Sequence, residues 1–496
     1  MADYLRPDVF VEEKNSGPRP IQGVGTSTAA FVALSPRGKI GVPQLVTSWT
    51  DYVNAVSYGL DTPFLANSYG AYAVYGFFNN GGTRAYIVRP GDGSQVKAQY
   101  TYTDGQATPA DIVKVEALDE GIWGNKLSSR FVNGLAAGNY DFIVKFDGTT
   151  VATYKEVSFD ATQDNFIETA VNGTDKFVSI DVLGSTTPTL VAGDIGVDKN
   201  LSGGADGSSG IDSDDLLGTS GLAALDTVDN INIVVIPESQ AAATITGAYA
   251  WCEKRKDAFF VCDGALTDTV ASIQTLRASL GSKDASLYYP WIEVSDPIGK
   301  GTAKTKFVPV AGHVAGVYAR TDGTRGVYKA PAGIDATVRG ALSTKVTVQD
   351  GERDVLNPKG INVIRVLSGA GIVVWGARTL GADPKDRYVN VRRGLKKIIK
   401  SLAEGSQWAV FEPNNTDTWR QMRVQANSFL LGEFKVGAFK GDTPAQAFFV
   451  KCDAELNTQE EVDAGRINEE VGVAFNKPGE FIIIRIGQWD GGVSVS

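Results

Sequence analysis

The chain's only histidine, His313, lies in VPVAGHVAGVYARTDG, and a Ser-His-Asp hydrolase would have to use it as its general base. No Gly-x-Ser-x-Gly elbow supplies a nucleophile, so His313 reads as structural and no catalytic residue is assigned. A single imidazole rules out a His-rich metal centre within one chain. The three cysteines, Cys252, Cys262 and Cys452, have no C-x-x-C spacing, so no metal ligands are assigned either. GVGTST at Gly23–Thr28 has the glycines of a phosphate cradle but no following Lys-Ser/Thr step, and it reads as a flexible connection. GGADGSSGIDSDD resembles a calcium loop in composition only, because it lacks the EF-hand order and the closing glutamate. No cofactor is expected.

Two features keep binding chemistry open. In NVRRGLKKIIKSLAE, Val391, Leu395, Ile398, Ile399 and Leu402 recur at helical spacing, with Asn390 placed to cap the helix. Arg392, Arg393, Lys396, Lys397 and Lys400 centre roughly 150° away from that apolar face. Such a stripe is either a solvated face or a contact for an anionic partner. The cysteines leave two readings: buried free thiols, or intersubunit disulfides if the protein works outside a reducing compartment.

Composition sets the frame for these residues. The 496 residues carry 47 basic and 57 acidic side chains, a net charge of −10. That balance disfavours wrapping nucleic acid, and direct nucleic-acid binding is not expected. No apolar run reaches ~18 residues, so no membrane span is expected. MADYLRPDVF has neither the basic nor the apolar region of a signal peptide.

The elements follow from local pattern. STAAFVALSPRG reads as a strand, SWTDYVNAVSYGL as a helix capped at Ser48 or Thr50, and Ala85–Val88 as a buried strand after an aromatic helix. From about residue 99 to 204 the pattern changes to short alternating strands, with Asp147-Gly148 marking a hairpin. The α/β grammar resumes with NINIVVIPES, a helix, FFVCDG, a second helix and ASLYYPWIEV. A last α+β stretch holds the basic helix, a helix at NTDTWRQMRVQANSFL, and strands at AQAFFVKCDA and EFIIIRIGQW. The expected organisation is a multidomain α/β and α+β chain. An N-terminal linking arm occupies 1–24, a central mixed-sheet α/β domain 25–98 plus 205–375, and a mostly β insertion 99–204. A C-terminal α+β domain over 376–484 and a short C-terminal arm over 485–496 complete it. Within the first arm, Val9, Phe10 and Val11 form a strand with no local partner, followed by Pro18 and Pro20.

Several of these stretches together resemble the contractile tail sheath family of myoviruses and related contractile injection systems. They are PDVFVEE, in which Asp8 stands where the family has glycine, then GIWGNKL, LYYPWIEVSDP, GHVAGVYARTDGTRGVYKAPAG, LNPKGINVIR, VVWGARTL, WAVFEPN and KPGEFIIIRI. They occur in family order and span most of the chain, the insertion least. The resemblance implies a structural subunit and not an enzyme. It implies stacked hexameric rings around an inner tail tube, with baseplate and tail terminator proteins as further partners. It places the assembly in a virion tail put together in the host cytoplasm, and the C-terminal domain against the tube. Residues Val9, Phe10, Val11 and Ile484, Arg485, Ile486 would exchange strands between subunits by β-augmentation. The five helix cations would then meet acidic groups on the tube. Because the family's central domain has been likened to subtilisin, a hydrolase through His313 is the alternative of a different class.

Overall fold

In the computed structural model, residues 20–104, 109–183, 189–300 and 304–483 are described. Two compact units are present, one of residues 25–392 and one of residues 1–24 with 393–496.

The first unit is built on an eight-stranded sheet. It opens with β1 (Ala29–Val32), an edge strand β2 (Gln44–Val46), helices α1 (Trp49–Ser57) and α2 (Gly70–Asn79), and β3 (Ala85–Val88). Ser48 caps α1 by accepting a hydrogen bond from the Asp51 N–H at 3.0 Å, which settles the choice between Ser48 and Thr50.

The insertion then contributes two antiparallel sheets. One holds β4 (Gln99–Thr103), β5 (Asp111–Ala117) and β9 (Val178–Val182). The other holds β6 (Leu127–Asn133), β7 (Tyr140–Phe146), β8 (Thr149–Val157) and β10 (Lys199–Asn200), with a short helix α3 (Ile167–Val171) beside them. They enclose a core of their own, centred on Tyr102, Trp123, Phe131 and Phe142. The β7–β8 hairpin turns at Asp147 and Gly148, with φ of 48° and 79°, as a two-residue turn with both φ positive requires. Entry and exit of the insertion are paired with each other, Val96 with Ala205 and Gln99 with Ser202.

After the insertion come α4 (Ser213–Leu217), β11 (Ile233–Val235), α5 (Ala242–Arg255), β12 (Phe259–Asp263), α6 (Val270–Ala278) and β13 (Ala285–Tyr289). Pro290 ends β13, so ASLYYPWIEV gives two strands, and β14 (Ile292–Ser295) joins a separate three-stranded sheet with β15 (Thr305–Val308) and β16 (Ala341–Thr344). Helices α7 (Ala311–Arg325) and α8 (Asp350–Leu356) and the hairpin β17 (Ile361–Leu367)–β18 (Gly371–Val374) complete the unit. The large sheet runs β18-β17-β13-β12-β11-β1-β3-β2; its inner strands are parallel and both edge strands are antiparallel. Side chains alternate between its faces: Phe31, Ile233 and Phe259 pack with α2 and α7, while Val32, Val234 and Phe260 pack with α5 and α6.

Arg37 ties the insertion to this layer. It is buried, donates to Asp119 at 3.2 Å and to the Tyr58 carbonyl at 2.8 Å, also bonds the Lys176 carbonyl, and lies 4.0 Å from the Trp123 ring centre. The segment after β18 also stays on this unit: Asn362 bonds Arg378 through both its amide oxygen and its amide nitrogen, and the Leu380 N–H donates to Ala285. The division therefore falls after Arg392 and not near residue 375.

The second unit comprises most of α9 (Val389–Gly405), then α10 (Thr416–Lys435), α11 (Pro444–Ala447), α12 (Gln459–Asp463) and the antiparallel pair β19 (Phe448–Lys451) and β20 (Glu470–Val473). Asn415 caps α10 by accepting from the Asp417 and Thr418 N–H groups. Of the strand expected in EFIIIRIGQW, Glu480–Ile483 lie within the described residues and form no ladder.

Candidate functional site

The helix singled out by its cations is α9. Its charged face is covered as well as its apolar one. Arg392, Arg393 and Lys396 are buried along with Val391 and Ile398 of the apolar face, while Lys397, Lys400 and Leu395 are half-buried and Ile399 is 41% exposed. The expected open cationic stripe is therefore corrected, and the reason lies in carboxylates distant in sequence. Arg392 donates to Asp284 at 2.9 Å and to Asp386 at 2.9 Å. Lys397 donates to both oxygens of Glu433, at 2.8 and 2.9 Å. Lys400 lies 3.4 Å from Glu404, one turn on along the helix. The Arg392–Asp284 pair is enclosed, so removing one partner strands a buried charge at a cost of about 3–5 kcal/mol. The Lys400–Glu404 pair is open to water and contributes ~0–1 kcal/mol. Asn390 does not cap the helix; it lies inside α9, and its amide nitrogen donates to the Tyr328 carbonyl at 2.7 Å.

In the second unit the same helix receives the start of the chain. The Val24 N–H donates to the Ser401 hydroxyl at 3.0 Å. Gly23 approaches Lys397 so closely that a Cβ would sit 3.3 Å from its Cε. At Gly405 a Cβ would fall 2.5 Å from Ile21, so Ile21 rests where any larger residue would stand. Residues 21–24 are thus laid along α9 between a cation and two small residues. Sequence reading passed over Gly405 and took Gly23 only as part of a flexible connection, whereas each is a position of close approach; their one signal is glycine in a helix's last turn and glycine in the arm's exit.

The strand-exchange residues Val9, Phe10, Val11, Ile484, Arg485 and Ile486 lie outside the described residues. Just before the second group, Phe481, Ile482 and Ile483 are exposed.

The three cysteines are buried and not joined in disulfides. Burial pushes the Cys262 thiol well up, and burial with Glu469 nearby pushes Cys452 up to about 11. Cys252 lies on the buried face of α5 in the main core. None of the three reaches the surface in this structure, which favours the reading as buried thiols over that as intersubunit disulfides, since a thiol must be exposed and ionised to exchange.

His313 is also enclosed. It sits in the first turn of α7 against α2, where a Cβ on Gly76 would lie 2.4 Å from the imidazole. Its Nδ1 has no hydrogen-bond partner among the described residues, and burial pushes its pKa down to about 4. An imidazole so placed cannot reach a substrate, and it takes up a proton only in acid. The carboxylate at the start of the same helix is structural: Asp263 accepts from the N–H groups of Val310 and Ala311, at 3.0 and 2.9 Å. Among the described residues no cluster of three His, Cys, Asp or Glu side chains is arranged for a metal, and no helix is long and apolar enough to cross a membrane.

Comparison with known proteins identifies the architecture. Residues 210–380 match the family model described as phage tail sheath protein central domain. The tail sheath protein of Enterobacteria phage T4 is 26% identical over 222 residues, which is 44% of this chain and 31% of that protein. The putative prophage major tail sheath protein of Pseudomonas aeruginosa is 23% identical over 241 residues, 47% of this chain and 59% of that one. The chain thus spans less than two thirds of these curated relatives. The fold itself is shared over nearly the whole length. The sheath complex of an extracellular contractile injection system, PVC, in its contracted state aligns over 99% of both chains with a TM-score of 0.62 at 22% identity. The sheath tail protein Lin1278 of Listeria innocua aligns over 93% of this chain and 96% of its own with a TM-score of 0.62 at 14% identity. The resemblance to contractile tail sheath proteins read from the motifs is found again by sequence and by fold.

Proposed function

We propose that this chain is the subunit of a contractile tail sheath. It polymerises as stacked hexameric rings around an inner tail tube in a metastable extended state. On contraction it drives the tube through a target envelope. The observation that carries the reading is the anchoring of residues 21–24 on α9, which ties the N-terminal arm to the unit that also holds the C-terminal segment. Both linking arms then leave one body, and exchange of Val9–Val11 and Ile484–Ile486 with neighbours gives a mesh whose links persist while subunits rotate. Residues 3–24, extended, reach roughly 70 Å, enough to cross to a neighbour. Weak links repeated around a ring add to a durable lattice.

In this proposal the cations of α9 act chiefly within the subunit, holding the helix that receives the arm. Contact with acidic groups on the tube is left to Lys400, the least enclosed of the five, whose side chain is 25% exposed. Energy is stored at assembly, so no nucleotide and no catalytic residue enters; the buried His313 speaks against the hydrolase alternative. The curated relatives favour a phage tail and the structural neighbours an extracellular injection particle, and either uses the same subunit chemistry.

Deletion of residues 1–20 tests the reading. Electron microscopy of the full chain is expected to show long hollow cylinders; the truncated chain is expected to give a folded monomer that forms none. Contractile cylinders from the truncated chain would refute the arm's role, and discrete rings alone from the full chain would refute the sheath.

A further inference from the structure

One cavity of the first unit gathers charge that the proposed function does not use. It has a volume of about 260 Å³ and lies between the C-terminal half of α7 and the loop leading to β16. Four of its lining side chains are cations, Arg320, Arg325, Lys329 and Arg339, against one carboxylate, Asp335. In a chain of net charge −10 this is a local inversion of sign.

The four cations differ in how far they are committed. Arg320 is fixed by bonds to the Asn80 and Thr337 carbonyls, at 3.1 and 2.6 Å. Lys329 donates to the carbonyls of Ala330 and Ala332, at 2.9 and 3.2 Å, which leaves one of its three donors unused. Arg325 has only a loose pair with Asp335 at 3.8 Å. Arg339 is exposed, and its guanidinium makes no hydrogen bond or ion pair among the described residues. The cations also repel each other: burial lowers the affinity of Lys329 for its proton, Asp335 offsets part of this and Arg325 adds to it, while Arg320 is lowered by burial and then by Arg339. A wall of donors fixed on carbonyls, with one loosely paired and one unpaired guanidinium at its rim, is arranged to receive carboxylates, which guanidinium binds in bidentate fashion.

The same chain carries a fitting partner. Residues 453–470 hold seven carboxylates, Asp453, Glu455, Glu460, Glu461, Asp463, Glu469 and Glu470, and one cation, Arg466. Glu461 is engaged by Arg466 at 2.7 Å, whereas Glu460 and Asp463, the latter accepting from the Gln459 amide at 2.7 Å, lie three residues apart on α12 and so share one face. The other acidic loop, at Asp212–Asp215, spends Asp212 and Asp215 on its own capping box.

We propose that the cavity lined by Arg320, Arg325, Lys329 and Arg339 receives the carboxylates of α12, Glu460 and Asp463, from a second copy of this chain. The contact rests on the sheath reading for its place in an assembly, where it gives the first unit of one copy a grip on the second unit of another that salt weakens.

A labelled peptide of residues 453–470, titrated into the full-length protein at low and high salt, tests the assignment. Saturable binding that weakens with salt is expected. The double variant Arg325→Glu and Arg339→Glu is expected to bind about tenfold more weakly, two exposed ion pairs being worth ~0–1 kcal/mol each before repulsion is added. Lys126→Glu, on the insertion, is expected to bind as the parent does. A peptide carrying Glu460→Lys and Asp463→Lys is expected to lose binding to the parent and regain it with the double variant. Equal binding by parent and double variant, or no rescue by the reversed peptide, overturns the assignment. Inorganic phosphate held by the cavity while the peptide is not would overturn it too, leaving a small-oxyanion site. The titration needs no assembled particle, so its failure leaves the sheath reading standing, and absence of cylinders leaves the cavity assignment standing.

Discussion

His313 makes acid destabilise the first unit, and the size of the effect follows from its enclosure. Burial pushes its pKa from 6.5 down to about 4, because the imidazolium would lose its hydration with no partner to replace it. The unfolded chain therefore binds a proton below about pH 6.5, while the folded chain stays neutral until about pH 4. Between those values the unfolded state holds more protons, so stability is complete above the window and drains away as pH falls through it. At about pH 5.5 the unfolded imidazole is protonated roughly ten to one and the folded one hardly at all, a difference of about 1.4 kcal/mol that nearly vanishes by about pH 7.5. This range keeps clear of the sequence pI of about 4.9, where the chain is least soluble. The perturbation is His313→Asn, which keeps a polar side chain and removes the titration. Urea unfolding followed by tryptophan fluorescence at the two pH values gives the comparison. The variant is expected to be less stable than the parent at about pH 7.5 by an amount that shrinks by about 1.4 kcal/mol at about pH 5.5, because the parent loses that much more on acidification. Parallel losses in parent and variant would refute the argument that His313 is held neutral by burial.

Two glycines of α7 should respond in opposite senses. Gly312→Ala would put a Cβ 2.5 Å from the Ala73 backbone of α2, so overpacking of about 1–3 kcal/mol should exceed the ~1 kcal/mol helix gain and lower the thermal midpoint, whereas Gly323→Ala has open space and should raise it. Arg37→Ala leaves Asp119 buried without its cation and should cost about 3–5 kcal/mol in denaturant titrations; a loss under 1 kcal/mol would mean that the junction with the insertion does not depend on it. None of the three cysteines should react with Ellman's reagent in the native protein and all should react in denaturant, whereas a thiol reacting at once in the native protein would contradict the buried placement.

Much of the large sheet was legible because a strand covered on both faces reads as an unbroken apolar run, as Ile233–Val235 and Phe259–Val261 do. Capping at Ser48 and the turn at Asp147-Gly148 were legible because each needs only its immediate neighbours. The orientation of α9 was not. Helical spacing gives the angle between its apolar and cationic faces but not that the rest of the protein covers both. That was decided by Asp284, 108 residues away from Arg392, and Glu433, 36 residues away from Lys397. The second strand of the C-terminal pair was missed for a related reason: Glu470–Val473 begins on a charge and lacks the long apolar run that drew attention to EFIIIRI. The cation cavity had no sequence signal as a set, since Arg320 and Arg339 meet only after the chain has turned back from α7.

The pairing of Val96 with Ala205 and Gln99 with Ser202 has a consequence for how the chain folds. Thr28 and Asn232, 204 residues apart, must meet at 3.1 Å before β1 can line up beside β11. With the two ends of the insertion clasped, the loop to be closed is roughly halved, and each halving saves about 0.6 kcal/mol of closure entropy. The larger effect is on independence: whatever lies beyond the clasp can grow, shrink or be exchanged without altering the distance the sheet has to bridge. The clasp turns a long-range folding problem into two shorter ones solved side by side, and it leaves residues 99–204 free to diverge while the parallel sheet keeps its register.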